Sequence, residues 1–373
     1  MAAGAAYATS RLRPPRRIDF WMVLAVAFLM LVGFLSIYSV DYVKSGSGQF
    51  KKQVINTLIG LGPFALFYFV DPSMWRRAAK GIYVANVLIL LLVLKMGSTV
   101  KGATRWIEIG PLQFQPSELA KLFMVLTMAS FFASRLDRID KISTYALSFL
   151  HLAVPLILVY KQPHLGASLV LVTIWLAISL AAGVRLRFVF GSVLAVVMAL
   201  GIAFSIPGVL SDYQKNRVIG LFEKDEKGKG YQALRAQIAF GVGGLTGTGY
   251  LQGQQKQGGF IPEQHNDFIF TVIGEEGGLA GCTMVLAAFG LLFYRIWLVL
   301  FEAAEPYYRM VAAGILGLLA FHTIANIGMN LQLLPVVGLW LPFLSSGGTA
   351  MWLCLACIGL LLNIHSRRRE SMF

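Results

Sequence analysis

The sequence predicts an all-α integral membrane protein of about ten transmembrane helices, with one large extracytoplasmic loop between helices seven and eight. Three observations predict it. The chain is 57% hydrophobic and only 13% charged over 373 residues, a balance outside the usual range of water-soluble domains. Apolar runs recur at the ~20-residue length that a helix needs to cross a ~30 Å hydrocarbon core. Basic clusters return at every second gap between those runs, as cytoplasmic loops require.

Taken in order, the apolar runs fall near 20–40, 53–70, 79–96, 117–134, 143–160, 165–183, 187–207, 267–297, 308–332 and 340–363. The first follows a basic segment carrying Arg11, Arg13, Arg16 and Arg17. It is full length and lacks a small-residue cleavage site, so it reads as an uncleaved span and not a signal peptide. An even number of spans puts both termini on one side. The basic groups Arg76, Arg77 and Lys80, then Arg135, Arg138 and Lys141, then Arg185 and Arg187, and finally Arg367 to Arg369 fall on that side as well. Both termini are therefore expected in the cytoplasm. The net charge of +14 is accounted for by anionic lipid headgroups, and nucleic acid is not an expected partner. Cys282, Cys354 and Cys357 all lie inside apolar runs, where they read as packing residues and not as a disulfide or zinc set.

No repeat or appended soluble domain interrupts the pattern, so residues 1–373 form one membrane domain. Two segments break the rhythm of short loops. The outer stretch 97–115 holds Lys101, Arg105, Trp106 and Glu108. The stretch from about 208 to 266 is the longest polar segment, and loops of that length are usually functional or disordered. It opens on Tyr213, Gln214 and Arg217, passes a charged turn at Lys224–Lys229, and starts a helix-like stretch at Tyr231. Glycines follow at 241, 243, 244, 247 and 249. No GxGxxG can be laid on them and no βαβ unit surrounds them, so they are expected to allow a tight turn or a close approach.

Several polar residues sit inside apolar runs. Glu118 and Lys121 share one helix face, behind Pro116, which suits a first helical turn. Either they form a structural ion pair or they line a substrate cavity, and the residues alone leave both open. Glu275 and Glu276 stand among Gly274, Gly277, Gly278 and Gly281, a setting for close helix contact in which one carboxylate bonds to a neighbour. His322 and Asn326, one turn apart, read as interhelical hydrogen bonds. Ser345-Ser346-Gly347-Gly348-Thr349, after Pro335 and Pro342, marks a bend at a span entrance. The most informative block is Pro262-Glu263-Gln264-His265-Asn266-Asp267-Phe268-Ile269-Phe270. Its carboxylates stand where a helix leaves water, within reach of a lipid-linked substrate at headgroup level.

Four blocks in order, Arg105-Trp106-Ile107, Gln115 to Lys121, Pro262 to Phe270 and Leu341 to Ser345, make the chain resemble the SEDS family (shape, elongation, division and sporulation). Its RodA-like elongation members are closer than its FtsW-like division members. The resemblance implies a ten-helix peptidoglycan glycosyltransferase that polymerises lipid II, inverting at the donor carbon, beside a class B penicillin-binding protein. It places the essential aspartate on Asp267, as general base, and the paired helix-four residues on Glu118 and Lys121. Arg105, Lys121 and Arg217 are then candidates for holding the anionic leaving group, and Glu118 and His265 for other substrate contacts. No organic cofactor is expected; a divalent cation (Mg or Mn) can share the leaving-group task. The chain departs from the family at Gln162-Pro163-His164-Leu165-Gly166, where an acid is usual in place of His164. It departs again at Arg235-Ala236, where Gln-Ser is common, and at Asn266, Ser346 and Thr349. A precursor flippase and a non-catalytic scaffold for the penicillin-binding protein are the competing readings.

Overall fold

The computed structural model describes residues 18–43, 48–96, 98–100, 103–109, 112–162, 164–206, 215, 219 and 230–367. The basic residues 11–17 and 368–369, the loop residues Lys101, Tyr213, Gln214, Arg217 and 224–229, and Pro163 lie outside them. The backbone of Arg105 and Glu108 is described, but their side chains are not.

Ten long helices match the ten apolar runs: α1 Phe20–Val43, α2 Gln49–Phe69, α3 Pro72–Met96, α4 Pro116–Ala133, α5 Ile142–Tyr160, α6 Leu165–Ala182, α7 Leu186–Ser205, α10 Ile269–Glu302, α11 Pro306–Asn330 and α12 Gly348–Ser366. Nine of these are long and apolar enough to cross a membrane. The exception is α2, and its polar outer end is used inside the protein. Gln53 donates to the Ser345 carbonyl (3.3 Å) and accepts from the Gly347 amide (3.1 Å), while the Asn56 carbonyl accepts from Trp352 Nε1 (2.9 Å). Helices α2 and α12 lie so close that a Cβ on Gly359 would stand 2.4 Å from the Phe64 carbonyl oxygen. Burial concentrates on α4, α11 and α12, the inner helices, and α7 is the most peripheral. The latter is held by Ser192 Oγ against Tyr145 Oη (2.8 Å) and by Phe188 against the Tyr145 ring.

Two segments read as loops contain structure. Residues 97–115 carry a small antiparallel sheet, β1 Ser98–Val100, β2 Ala103–Ile109 and β3 Leu112–Phe114, in the order β1-β2-β3. Strands β1 and β3 have only three residues each, and the seven of β2 do not alternate strictly, since Trp106 and Ile107 are adjacent. The long loop contains α8 Tyr231–Gly243, beginning at the expected residue, and the four-residue α9 Gln254–Gln257.

Helix α10 has 34 residues, about 51 Å at 1.5 Å per residue, well over one membrane thickness. It is broken at Gly278, whose φ of 61° and ψ of −159° only glycine adopts without strain. A break inside a span exposes backbone groups that lipid cannot satisfy. Here the glycine-rich turn after α8 satisfies them. Thr248 and Gly249 amides donate to the Glu275 and Glu276 carbonyls (2.9 and 3.2 Å), and Leu279 and Ala280 amides donate to the Gly244 and Leu245 carbonyls (2.9 and 3.1 Å). A Cβ on Gly243 would stand 1.9 Å from the Gly274 carbonyl oxygen, and one on Gly247 would stand 2.0 Å from that of Glu276. The glycines expected to allow a close approach therefore do so, against α10.

Candidate active site at one end of the bundle

The turn 262–268 leads into α10. Glu263 takes a left-handed conformation (φ 52°), and its carbonyl accepts from the Asn266 and Asp267 amides (3.0 and 3.3 Å). Asn266 Nδ2 donates to Glu263 Oε2 (2.8 Å), and Gln264 Nε2 donates to Thr271 Oγ1 (3.1 Å). These bonds make the turn a built feature. Asp267 comes just before Phe268, the residue that caps α10, and is half-buried.

Two other elements fix where Asp267 stands. On α11, the polar residues His322, Asn326 and Asn330 recur every four positions and so share one face. Asn326 Nδ2 and Asn330 Nδ2 both donate to the Asp267 carbonyl (2.9 and 3.0 Å). Asn326 Nδ2 also donates to the Leu339 carbonyl (2.6 Å). From the loop before α12, Ser345 Oγ donates to the Asn266 carbonyl (2.6 Å), and the Ser346 amide donates to that of His265 (2.9 Å). Ser345 Oγ in turn accepts from the Leu341 amide (2.8 Å), across a turn in which Phe343 is left-handed (φ 66°). Helix α1 leans on this turn: a Cβ on Gly33 would stand 2.8 Å from Leu344 Cα. The Pro262 and Leu341 blocks, some 80 positions apart in sequence, thus form one surface.

One turn deeper on α11 lies a closed polar network. Lys121 Nζ donates to Glu118 Oε1 (2.6 Å) and approaches His322 Nε2 at 3.1 Å. An ammonium only donates, so neutral His322 accepts at Nε2 and carries its proton on Nδ1, which faces the Trp340 carbonyl at 3.2 Å. Trp340 Nε1 donates to Glu118 Oε2 (3.0 Å), and its ring stacks on His322 with centroids 3.9 Å apart. Lys121 is fully buried and Glu118 is 2% exposed, so each charge is neutralised by its partner. The Glu118–Lys121 pair is therefore a closed, buried ion pair, tied through His322 to the helix whose asparagines hold the Asp267 carbonyl.

Glu276 has the neighbour that its setting called for. Lys256, on α9, donates to Glu276 and to Ser39 of α1, and Ser39 Oγ donates to Glu276 Oε1 (2.6 Å). Glu275 Oε1 accepts from the Gln255 amide (2.6 Å). Both carboxylates thus hold the outer loop onto the break in α10.

Of the other sequence candidates, His265 is half-buried with Nε2 4.0 Å from Glu263 Oε2. His164 caps α6, its Nδ1 accepting from the Ala167 amide (3.2 Å). Arg217 and the Arg105 side chain lie outside the described residues. Asn330, Trp340, Gln53 and Lys256 were missed by sequence reasoning. The four-residue spacing from His322 through Asn330 is a signal that would have found Asn330. Nothing local marks the other three. Among the described residues no three His, Cys, Asp or Glu side chains converge as a metal set.

Residues 18–370 match the family model of the FtsW, RodA and SpoVE cell cycle proteins. The chain is 32% identical over 363 residues to the peptidoglycan glycosyltransferase MrdB of Escherichia coli strain K12, covering 95% of this chain and 97% of that one. It is 34% identical over 367 residues to the probable peptidoglycan glycosyltransferase FtsW of Geobacter sulfurreducens, covering 95% and 97%. Among solved structures, it superimposes with a TM-score of 0.80 and 28% identity on a chain of a peptidoglycan synthase complex studied for how it coordinates polymerization and crosslinking, covering 95% of this chain and all of that one. Against the rod shape determining protein RodA of Thermus thermophilus the TM-score is 0.71 at 28% identity, covering 95% and 99%.

Proposed function

The chain belongs to the FtsW, RodA and SpoVE family and is a multi-pass membrane peptidoglycan glycosyltransferase; from that premise we propose that Asp267 is its general base and that it builds glycan strands for cell elongation. The substrate is lipid II. The acceptor's 4-hydroxyl gives its proton to the Asp267 carboxylate as its oxygen bonds to the donor's anomeric carbon. The bond from that carbon to the diphosphate breaks, with inversion, and the polyprenyl diphosphate leaves. A positioned carboxylate contributes ~10²–10⁴-fold to such a step.

The observation that carries this reading is the double grip of Asn326 and Asn330 on the Asp267 carbonyl. It anchors the backbone of the proposed base to α11, at the end of the bundle where a membrane-anchored substrate presents its sugars. Glu118, Lys121, His322 and Trp340 form the closed network that ties α11 to α4. Arg105 and Arg217 are proposed to face the departing diphosphate. Lys121 acts there through that network, since Glu118 and His322 engage its ammonium. A divalent cation would neutralise further charge on the leaving group. Magnesium sites often need only one or two carboxylates beside phosphate oxygens, and Asp267 and Glu263 are the carboxylates of this turn.

Elongation is favoured by the likeness to RodA, and a class B penicillin-binding protein by the likeness to the synthase complex. The positive-inside pattern of Arg76, Arg77, Lys80, Arg135, Arg138, Lys141 and Arg185 supports cytoplasmic termini in the inner membrane. The test is lipid II polymerisation by purified protein with its penicillin-binding partner. The Asp267→Asn variant should yield no glycan ladder while keeping its melting temperature. Normal ladders from a folded variant would end the general-base reading.

A further inference from the structure

A cation on the segment beside the proposed site pairs with no carboxylate among the described residues. Arg235 lies on α8, one residue before Ala236, which packs with Ala239, Ile261 and Phe268 in a small apolar cluster. Phe268 directly follows Asp267, so Arg235 stands on the segment that backs the catalytic turn. Its guanidinium lies over the Tyr231 ring at 5.2 Å and over the Phe260 ring at 4.5 Å. Tyr231 is one helical turn earlier on the same face. Phe260 is brought in by a turn that two glycines make possible. Gly259 is left-handed (φ 64°), and a Cβ on Gly258 would stand 2.1 Å from the Phe260 ring. The Phe260 amide closes this turn on the Gln255 carbonyl (3.2 Å).

Two rings beside a guanidinium hold it by cation–π contact and leave its N–H groups for an acceptor. Arg235 is half-buried, and among the described residues no carboxylate pairs with it. A partly desolvated cation without a counter-charge is unfavourable unless a ligand supplies the charge. Two buried lysines among the described residues are committed elsewhere: Lys121 to Glu118 and Lys256 to Glu276. The fork of a guanidinium suits paired phosphate oxygens.

We propose that Arg235, held against the Tyr231 and Phe260 rings, binds the diphosphate of the lipid-linked substrate. It holds that group on the α8 side of the turn that carries Asp267. This rests on the glycosyltransferase reading, and it adds an anchor that the common Gln at this position cannot supply. Arg235 is a substrate-binding residue in this account, and the proton transfer stays with Asp267.

The experiment is direct binding, so its outcome does not depend on polymerisation. Full-length protein in nanodiscs of zwitterionic lipid is titrated with undecaprenyl diphosphate, with undecaprenol as the uncharged control. Arg235→Gln should weaken diphosphate binding roughly tenfold and leave undecaprenol binding unchanged, as loss of a charge-assisted hydrogen bond implies. Phe260→Leu keeps the charge but loosens that hold, and should weaken binding less, in the same direction. Nanodiscs containing phosphatidylglycerol separate the two sources of phosphate. Unchanged diphosphate binding by a folded Arg235→Gln variant overturns the proposal. So does a loss confined to phosphatidylglycerol association, which would assign Arg235 to bilayer headgroups. If wild type binds the diphosphate through Arg235 but makes no glycan, the fault lies with the polymerase reading and not with this site.

Discussion

Replacing Lys256 with methionine tests whether the outer loop is latched to the broken helix. Lys256 and Glu276 side chains are 1% and 8% exposed, and Ser39 is fully buried beside them. Methionine fills much of the lysine stem's volume but leaves Glu276 with only the Ser39 hydroxyl as a donor. Breaking a buried pair by removing one partner costs about 3–5 kcal/mol. Changing Glu276→Gln as well removes the stranded charge, and the double variant should lose only the ~0.5–1.5 kcal/mol of an ordinary hydrogen bond. The assay is the free energy of reversible unfolding in mixed micelles titrated with sodium dodecyl sulfate. Wild type, both single variants and the double variant are run as a cycle. A coupling energy well above ~1 kcal/mol, with the double variant more stable than Lys256→Met alone, is expected. Strict additivity, with Lys256→Met costing under ~1 kcal/mol, would refute the latch and leave the attachment to the α8–α10 backbone contacts and the Glu275–Gln255 bond.

Asn326→Ala combined with Asn330→Ala should lower kcat at least tenfold with little change in substrate affinity, because displacement of a catalytic group by about 1 Å costs ~10²-fold; glycan synthesis under saturating lipid II reads it. Asp71 offers a pH test at the other end of the bundle. Partial burial alone would raise its carboxyl, but hydrogen bonds from Ser73 and the Arg367 guanidinium outweigh it and hold Asp71 below the usual carboxylate range. A lowered folded-state value adds stability above the unfolded value of ~3.9, and that stability is lost as pH falls through the folded one. Arg367→Gln should therefore cost up to ~1 kcal/mol at neutral pH, with the difference from wild type vanishing only below about pH 4 in thermal melts.

The membrane frame was legible because one physical requirement, an apolar run of fixed length, repeats ten times. Even α2, with Lys51, Lys52 and Gln53 at its outer end, could be placed by counting between stronger neighbours. The paired charges of Glu118 and Lys121 announced themselves by standing three apart in an apolar run. Their third and fourth partners did not. His322 could be assigned an interhelical bond, but Trp340 reaches Glu118 across 222 positions, and no local pattern encodes such a contact. The same holds for Lys256, one polar residue among many in its loop until the fold buries it. The glycines announced a close approach but not its object, since the break at Gly278 appears only when the helix proves too long. Strands β1 and β3 were missed because three residues are too few for alternation to be read, and β2, seven residues long, because adjacent Trp106 and Ile107 break its alternation.

The order in which the chain is made gives the broken helix a further consequence. Residues 230–258 leave the ribosome before α10, yet they supply the donors and acceptors that the break at Gly278 lacks. When α10 forms, the carbonyls of Glu275 and Glu276 find these partners only if the preceding segment has already folded back against it. Assembly of this span is thus conditional on the folding of the segment made before it. A nascent chain stalled at that step would hold an unfinished helix, its broken backbone unsatisfied.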